Sequence, residues 1–237
     1  MVTSRVKDTP ILVVAALGRE LKALGSERHA ELELLETGEG IANARRSIED
    51  WLEQRSARVV LSIGFAGALS AALRIGDLVV AETIRSSEIA PDPNLLAIAR
   101  HVRLDNPVHF GTALTAERIL WLSSEKRALA SPLAADEIGF VDMESTAIAD
   151  VCAQRNVPFL IVRSISDLLD EDLPLDFNQC MDRDGRVNSG KVTKAALVKP
   201  RSIKGLLELR KRSELCAERM AEFIRGILLL IDQSKDG

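Results

Sequence analysis

The sequence predicts an α/β fold: one domain over residues 1–237, with a central twisted sheet, mixed but largely parallel, flanked by helices. Two observations predict it. Short apolar runs rich in β-branched residues alternate with longer amphipathic stretches along the whole chain. Those runs are mostly continuous instead of polar at every second position, as strands covered on both faces require. The 237 residues are 46% apolar and 28% charged, a balance typical of a globular chain large enough to bury a substantial core.

Ile11 to Ala16 is the first such run, and a short helix follows from Gly18. Ala30 to Glu36 alternates weakly, and Thr37-Gly-Glu-Gly40 turns the chain into a helix over Ile41 to Gln54. Val59 to Ile63 is a buried strand that exits into Gly64-Phe-Ala-Gly67, and Asp77 to Thr83 is another strand. Pro91-Asp-Pro93 breaks the chain before a helix over Asn94 to His101. A strand over Val108 to Leu114, a short helix over Ser123 to Leu129 and a strand over Ile138 to Asp142 come next. The last strand hands over at once to a helix over Glu144 to Gln154. Pro158 to Val162 is a strand closing in Arg163-Ser-Ile-Ser-Asp167, and Lys204 to Ile231 is a long amphipathic helix. Between them Leu168 to Ser202 reads as an irregular surface excursion, the kind of long loop that often covers a site.

Composition excludes several functions. A net charge of −4 with no concentrated basic surface argues against nucleic acid as a partner. Cys152, Cys180 and Cys216 are odd in number and far apart, so each is expected to be a small buried hydrophobe and not part of a disulfide or a metal site. No metal and no cofactor are expected. Met1 to Pro10 is polar, Ile11 to Leu17 is too short for a secretory signal, and Ile227 to Ile231 is too short to span a bilayer. The expected location is the cytoplasm.

Open α/β sheets bind ligands beyond the carboxyl ends of their strands. That places Glu20, Gly64 to Gly67, Asp142 to Glu144 and Ser166-Asp167 at one rim. Asp142 and Glu144 put two carboxylates beside an apolar strand, which is costly without a task or a partner. Glu144 is either a favourable charge at a helix start or an acceptor for vicinal hydroxyls. Asp167 is either a helix cap or a buried carboxyl that keeps its proton long enough to act as a general acid. Ser166 either ends the strand or orients Asp167. Glu20 is either a solvated first-turn carboxylate or a base that activates water. The glycine-containing segments are either plain turns or places where a ligand approaches the backbone. His29, His101 and His109 read as structural.

Four segments then resemble, in order, the nucleoside phosphorylase and nucleosidase superfamily, particularly its methylthioadenosine/S-adenosylhomocysteine nucleosidase branch. Val141-Asp-Met-Glu-Ser-Thr-Ala-Ile-Ala149 is the most specific, and Arg163-Ser-Ile-Ser-Asp167 is the second. Ala16-Leu-Gly-Arg-Glu20 and the pair Gly64-Phe-Ala-Gly-Ala-Leu69 and Gly76-Asp-Leu-Val-Val80 complete the set. The resemblance implies a nucleoside phosphorylase-like single domain, a homodimer, and a small-molecule purine nucleoside as substrate. It also implies that Asp167 protonates purine N7, Glu20 activates water, Met143 packs on the ribose and Glu144 binds its hydroxyls. Phe65, Ala66 and Gly67 would lie near the base or the nucleophile, while Phe140 and Arg118, both more weakly aligned, fall near positions that flank the base. Phe65 and Ala68 depart from the usual glycine-rich segment, and Gly18 and Arg19 replace acidic residues. Asp184-Gly-Arg186 and Leu197 to Leu207 resemble the tail of the hopanoid-associated phosphorylase-like branch, which implies a bulkier 5′ substituent. Hydrolysis is the favoured reaction; phosphorolysis on the same site and an inactive nucleoside-binding protein are the alternatives.

Overall fold

The architecture was obtained as a computed structural model, which describes residues 9–25, 31–85, 87, 89–182 and 186–233. His29 and Asp184 lie outside them, as do residues 1–8. Seven strands form one sheet: β1 (Ile11–Ala15), β2 (Leu32–Glu36), β3 (Val59–Ala68), β4 (Leu78–Ile84), β5 (Val108–Thr115), β6 (Gly139–Asp142) and β7 (Phe159–Asp167). The helices are α1 (Gly18–Leu21), α2 (Ile41–Gln54), α3 (Pro93–His101), α4 (Ser123–Ala130), α5 (Ser145–Gln154), α6 (Ser189–Val198) and α7 (Ser202–Gln233).

The sheet is mixed and mostly parallel. β1–β2, β1–β3, β3–β7, β4–β5 and β5–β6 run parallel, while β3–β6 and β4–β7 run antiparallel. Because β7 pairs with both β3 and β4, the strands β3, β6, β5, β4 and β7 close on themselves. The open sheet expected from the sequence is therefore partly a barrel, with β1 and β2 extending from β3.

Strand pleating explains how two cores form. Side chains point alternately to opposite faces, so Ile11, Val13, Leu61 and Ile63 pack with Met220, Phe223, Ile224 and Ile227 of α7. Leu12, Val14 and Val60 face the other way, toward Ala44 and Ile48 of α2 and Ala147 and Ile148 of α5. On α2 the buried residues Ala44, Ile48 and Leu52 recur every fourth position, which makes one apolar stripe. Each large aliphatic or aromatic side chain withdrawn in this way is worth roughly 1.5–3 kcal/mol. Cys152, Cys180 and Cys216 are all buried free thiols, and burial pushes Cys152 up to about 12.

Two strands outrun their sequence boundaries. β3 continues through Gly64–Gly67, and β7 through Arg163–Asp167, so both segments are paired backbone and not loops beyond strand ends. Their parallel ladder slips between Ala66 and Gly67, and the end of β3 turns to pair with Val141 and Phe140 of β6. Barrel closure supplies the hydrogen-bonding partners that an open rim would lack. The Leu168 to Ser202 excursion is also more ordered than expected, holding a 3-10 turn over Phe177–Cys180 and the helix α6.

Candidate active site

A cavity of about 770 Å³ opens where β3, β6 and β7 meet α1, with α6 and α7 across it. Glu20, Phe65, Ala66, Gly67, Asp142, Met143, Glu144, Ser166 and Asp167 all line it. Phe140 does not: its side chain is wholly buried in the core beside α2 and α5, because alternation along β6 turns it away from its neighbour Val141, which lines the cavity. A second, open groove of about 870 Å³ lies against residues 171–174 and 198–212, and none of Glu20, Glu144 and Asp167 lines it.

Glu20 sits in the single-turn helix α1 at 2% exposure. Its Oε2 accepts the Leu17 N–H at 2.8 Å and its Oε1 the Phe65 N–H at 2.9 Å. Burial raises its pKa, and these two donors pull it back down. A Cβ on Gly64 would stand 3.4 Å from that same Oε1, so glycine leaves the carboxyl room against β3.

Asp142 and Glu144 divide the work that their spacing left ambiguous. Asp142 faces Arg163, whose guanidinium is 1% exposed, and its Oδ2 accepts from Arg163 Nε at 2.7 Å. The Ser145 hydroxyl donates to the same oxygen, and Oδ1 accepts the Ser145 N–H at 3.2 Å. With both oxygens engaged, Asp142 lines the cavity as the group that positions Arg163 and Ser145. Arg163 Nη1 also donates to the Ser62 hydroxyl at 3.0 Å and to the Val162 carbonyl at 3.0 Å. Glu144, at the start of α5, accepts the Gly40 N–H at 2.7 Å through Oε1. Gly40 has φ of 90°, the left-handed region that suits glycine, so the Thr37–Gly40 turn aims its amide at Glu144. Met143 lies beside it, its Cε 3.7 Å from where a Gly40 Cβ would be.

Asp167 closes the set. Its Oδ1 accepts the Ser166 hydroxyl at 2.9 Å, and its Oδ2 accepts Lys126 Nζ at 2.8 Å. Lys126 is 0% exposed and donates also to the Leu168 carbonyl. Burial raises the Asp167 pKa, and the Lys126 ammonium lowers it. Gly67 makes this pair possible, since a Cβ there would come within 3.1 Å of Asp167 Oδ2. Sequence reasoning missed Lys126 altogether: a lysine on the polar helix α4 carries no local sign of burial. Arg118, expected beside the base, lines the cavity and pairs with Glu125 at its exposed edge. His101 is exposed on α3, and His109 of β5 lies 3.3 Å from Asp77, both away from the cavity.

The chain belongs to the phosphorylase superfamily, whose family pattern matches residues 25–198. Among its relatives is the 5′-methylthioadenosine/S-adenosylhomocysteine nucleosidase of Bacillus cytotoxicus, 27% identical over 65% of this chain and 75% of that protein. The enzyme of the same name from Staphylococcus epidermidis is 27% identical over 68% and 78%. Among solved structures, the Neisseria meningitidis nucleosidase in complex with methylthio-immucillin-A matches at a TM-score of 0.69 and 18% identity, covering 93% of this chain and 98% of that one. Futalosine hydrolase of Helicobacter pylori matches at 0.69 and 18% identity, covering 94% and 98%.

One prediction follows from Glu144. Its pKa is raised from 4.5 to about 8, first by burial and then by the charge of Asp142. A carboxyl with a raised folded pKa holds its proton more tightly folded than unfolded. Its contribution to stability is thus complete below pH 4.5 and is lost as pH rises through about 8. Denaturant titrations across that window should show stability falling with pH, and Glu144→Gln, which still accepts from Gly40, should flatten the fall. Equal slopes in the two proteins would contradict the assignment.

Proposed function

We propose that the protein hydrolyses the N-glycosidic bond of a 5′-substituted adenosine and releases adenine. The supporting observation is the convergence of three buried carboxyl groups, Glu20, Glu144 and Asp167, on one cavity. Glu20 is anchored at Phe65 and Asp167 packs against Gly67. Two residues of extended strand separate those points by about 7 Å, a span suited to an acid and a base acting on opposite sides of a sugar.

In this reading Asp167, oriented by Ser166, gives its proton to purine N7, and the glycosidic electron pair leaves with the base. Glu20 takes a proton from water as the water oxygen bonds to C1′. Glu144 hydrogen-bonds the ribose hydroxyls and holds the sugar between the acid and the base. Met143 packs on the ribose, and Phe65, Ala66 and Gly67 form the floor. Water is favoured over phosphate because the Phe65 amide, a donor that could greet an anion, is already taken by Glu20. Arg19, Arg118 and Arg210 line the cavity and make phosphorolysis the competing reading. The apolar side chains Val192, Leu206 and Leu209 on the α6–α7 wall support a bulky 5′ substituent. Family resemblance supports a cytoplasmic homodimer, which light scattering checks.

Asp167→Asn and Glu20→Gln should each lower kcat for adenine release by about 10²–10⁴-fold while nucleoside binding survives. Near-normal turnover in either variant would remove that residue from its role. Lys126→Met removes the cation that lowers the Asp167 pKa, so the alkaline limb of the kcat/KM profile should move to higher pH. A limb that stays in place would show that Lys126 does not tune the acid.

A further inference from the structure

Most large apolar side chains are covered, yet four exposed ones gather in a single short stretch. Leu197 and Val198 end α6 at 72% and 75% exposure, and Ile203 and Leu207 open α7 at 42% and 58%. Ile203 and Leu207 are one helical turn apart and share a face. Residues 186–207 also carry six basic side chains and no acidic one, in a chain whose net charge is −4. All six are exposed: Arg186, Lys191, Lys194, Lys199, Arg201 and Lys204. Of the acids lining the adjacent groove, Glu171 and Glu208 are engaged by Arg212, and Asp172 accepts the Ser123 N–H.

We propose that this α6–α7 corner is a docking surface for an anionic lipid bilayer. An exposed apolar patch interleaved with basic side chains fits the boundary between headgroups and acyl chains, where apolar burial and attraction to anionic lipids act together. The charge argues against a second copy of this chain, because a two-fold contact would set the same cations against one another. Shape and composition argue against a protein partner. Leu197, Ile203 and Leu207 stand outside the open groove that Val198 lines, and lysine, which supplies four of the six cations, is depleted where proteins meet. No helix among the described residues is long and apolar enough to cross a membrane, so the contact is peripheral. α6 and α7 also carry Val192, Thr193, Leu206 and Arg210 on the cavity wall. Docking at this corner would bring the wall of the cavity next to the lipid, within reach of a nucleoside with an apolar tail.

The test is flotation of the whole chain with vesicles of phosphatidylcholine containing phosphatidylglycerol. Binding is expected at low salt, with loss in high salt as the charges are screened, and weak or no binding to phosphatidylcholine alone. Each of Lys199→Gln, Arg201→Gln and Lys204→Gln should weaken binding about five-fold, and Leu197→Ser with Val198→Ser should abolish most of it. Unchanged circular dichroism and melting in these variants show that the fold persists, independently of the proposed hydrolysis. The proposal is overturned if anionic vesicles do not bind, if binding ignores salt and lipid charge, or if the variants bind as the parent does. A parent that ignores vesicles but self-associates through this corner, or that captures polyglutamate instead, overturns it in favour of a protein surface.

Discussion

A guanidinium withdrawn almost entirely from water is the constraint around which the site is arranged. Arg163 enters from β7, reaches Ser62 on β3, and meets Asp142 at the end of β6 and Ser145 at the start of α5. Removing one partner of such a pair leaves an uncompensated buried charge, which costs roughly 3–5 kcal/mol. Arg163 therefore fixes how three strands and a helix meet, and with them the direction in which Met143 and Glu144 leave β6. It also decides which of two neighbouring carboxylates is available: Asp142 is consumed by the pairing, and Glu144 is free to face the cavity.

The same logic governs the remaining acids. Glu20 is held by backbone N–H groups, and Asp167 by a hydroxyl and the fully buried ammonium of Lys126. Hydrogen bonding makes the burial tolerable, and burial in turn lifts the Glu20 and Asp167 pKa values toward the range where proton transfer is useful. Glycines at 64 and 67 let both carboxyl groups lie close against β3. A paired strand is a stiffer support than a loop, and that stiffness suits groups that must keep their distance from each other.

Much of this was legible in the residues. The apolar runs located six of the seven strands, β2 showing only as a weak alternation, and α2 begins and ends where its periodicity does, at Ile41 and Gln54. Glu20, Met143, Glu144, Ser166 and Asp167 were singled out from their places near strand ends and do converge on one cavity. What escaped depended on long-range pairing. Barrel closure turned the expected Gly64–Gly67 exit into strand, since its partners, Val141 on β6 and Arg163 to Asp167 on β7, lie far along the chain. The resemblance sets Phe140 beside the base, whereas pleating turns it into the core, a face that alternation on a four-residue strand is too brief to reveal. Lys126 was invisible, because its burial comes from Asp167 and Leu168 and from nothing in its own helix.

Whether the carboxyl groups act on water is the central claim, and the identity of the sugar product tests it most directly. A 5′-substituted adenosine would be incubated with the protein in the absence and in the presence of excess phosphate, and the products resolved by phosphorus NMR alongside adenine release. The account predicts free sugar equimolar with adenine and a rate indifferent to phosphate. A sugar 1-phosphate formed only when phosphate is present would contradict it and assign Glu20 a different role.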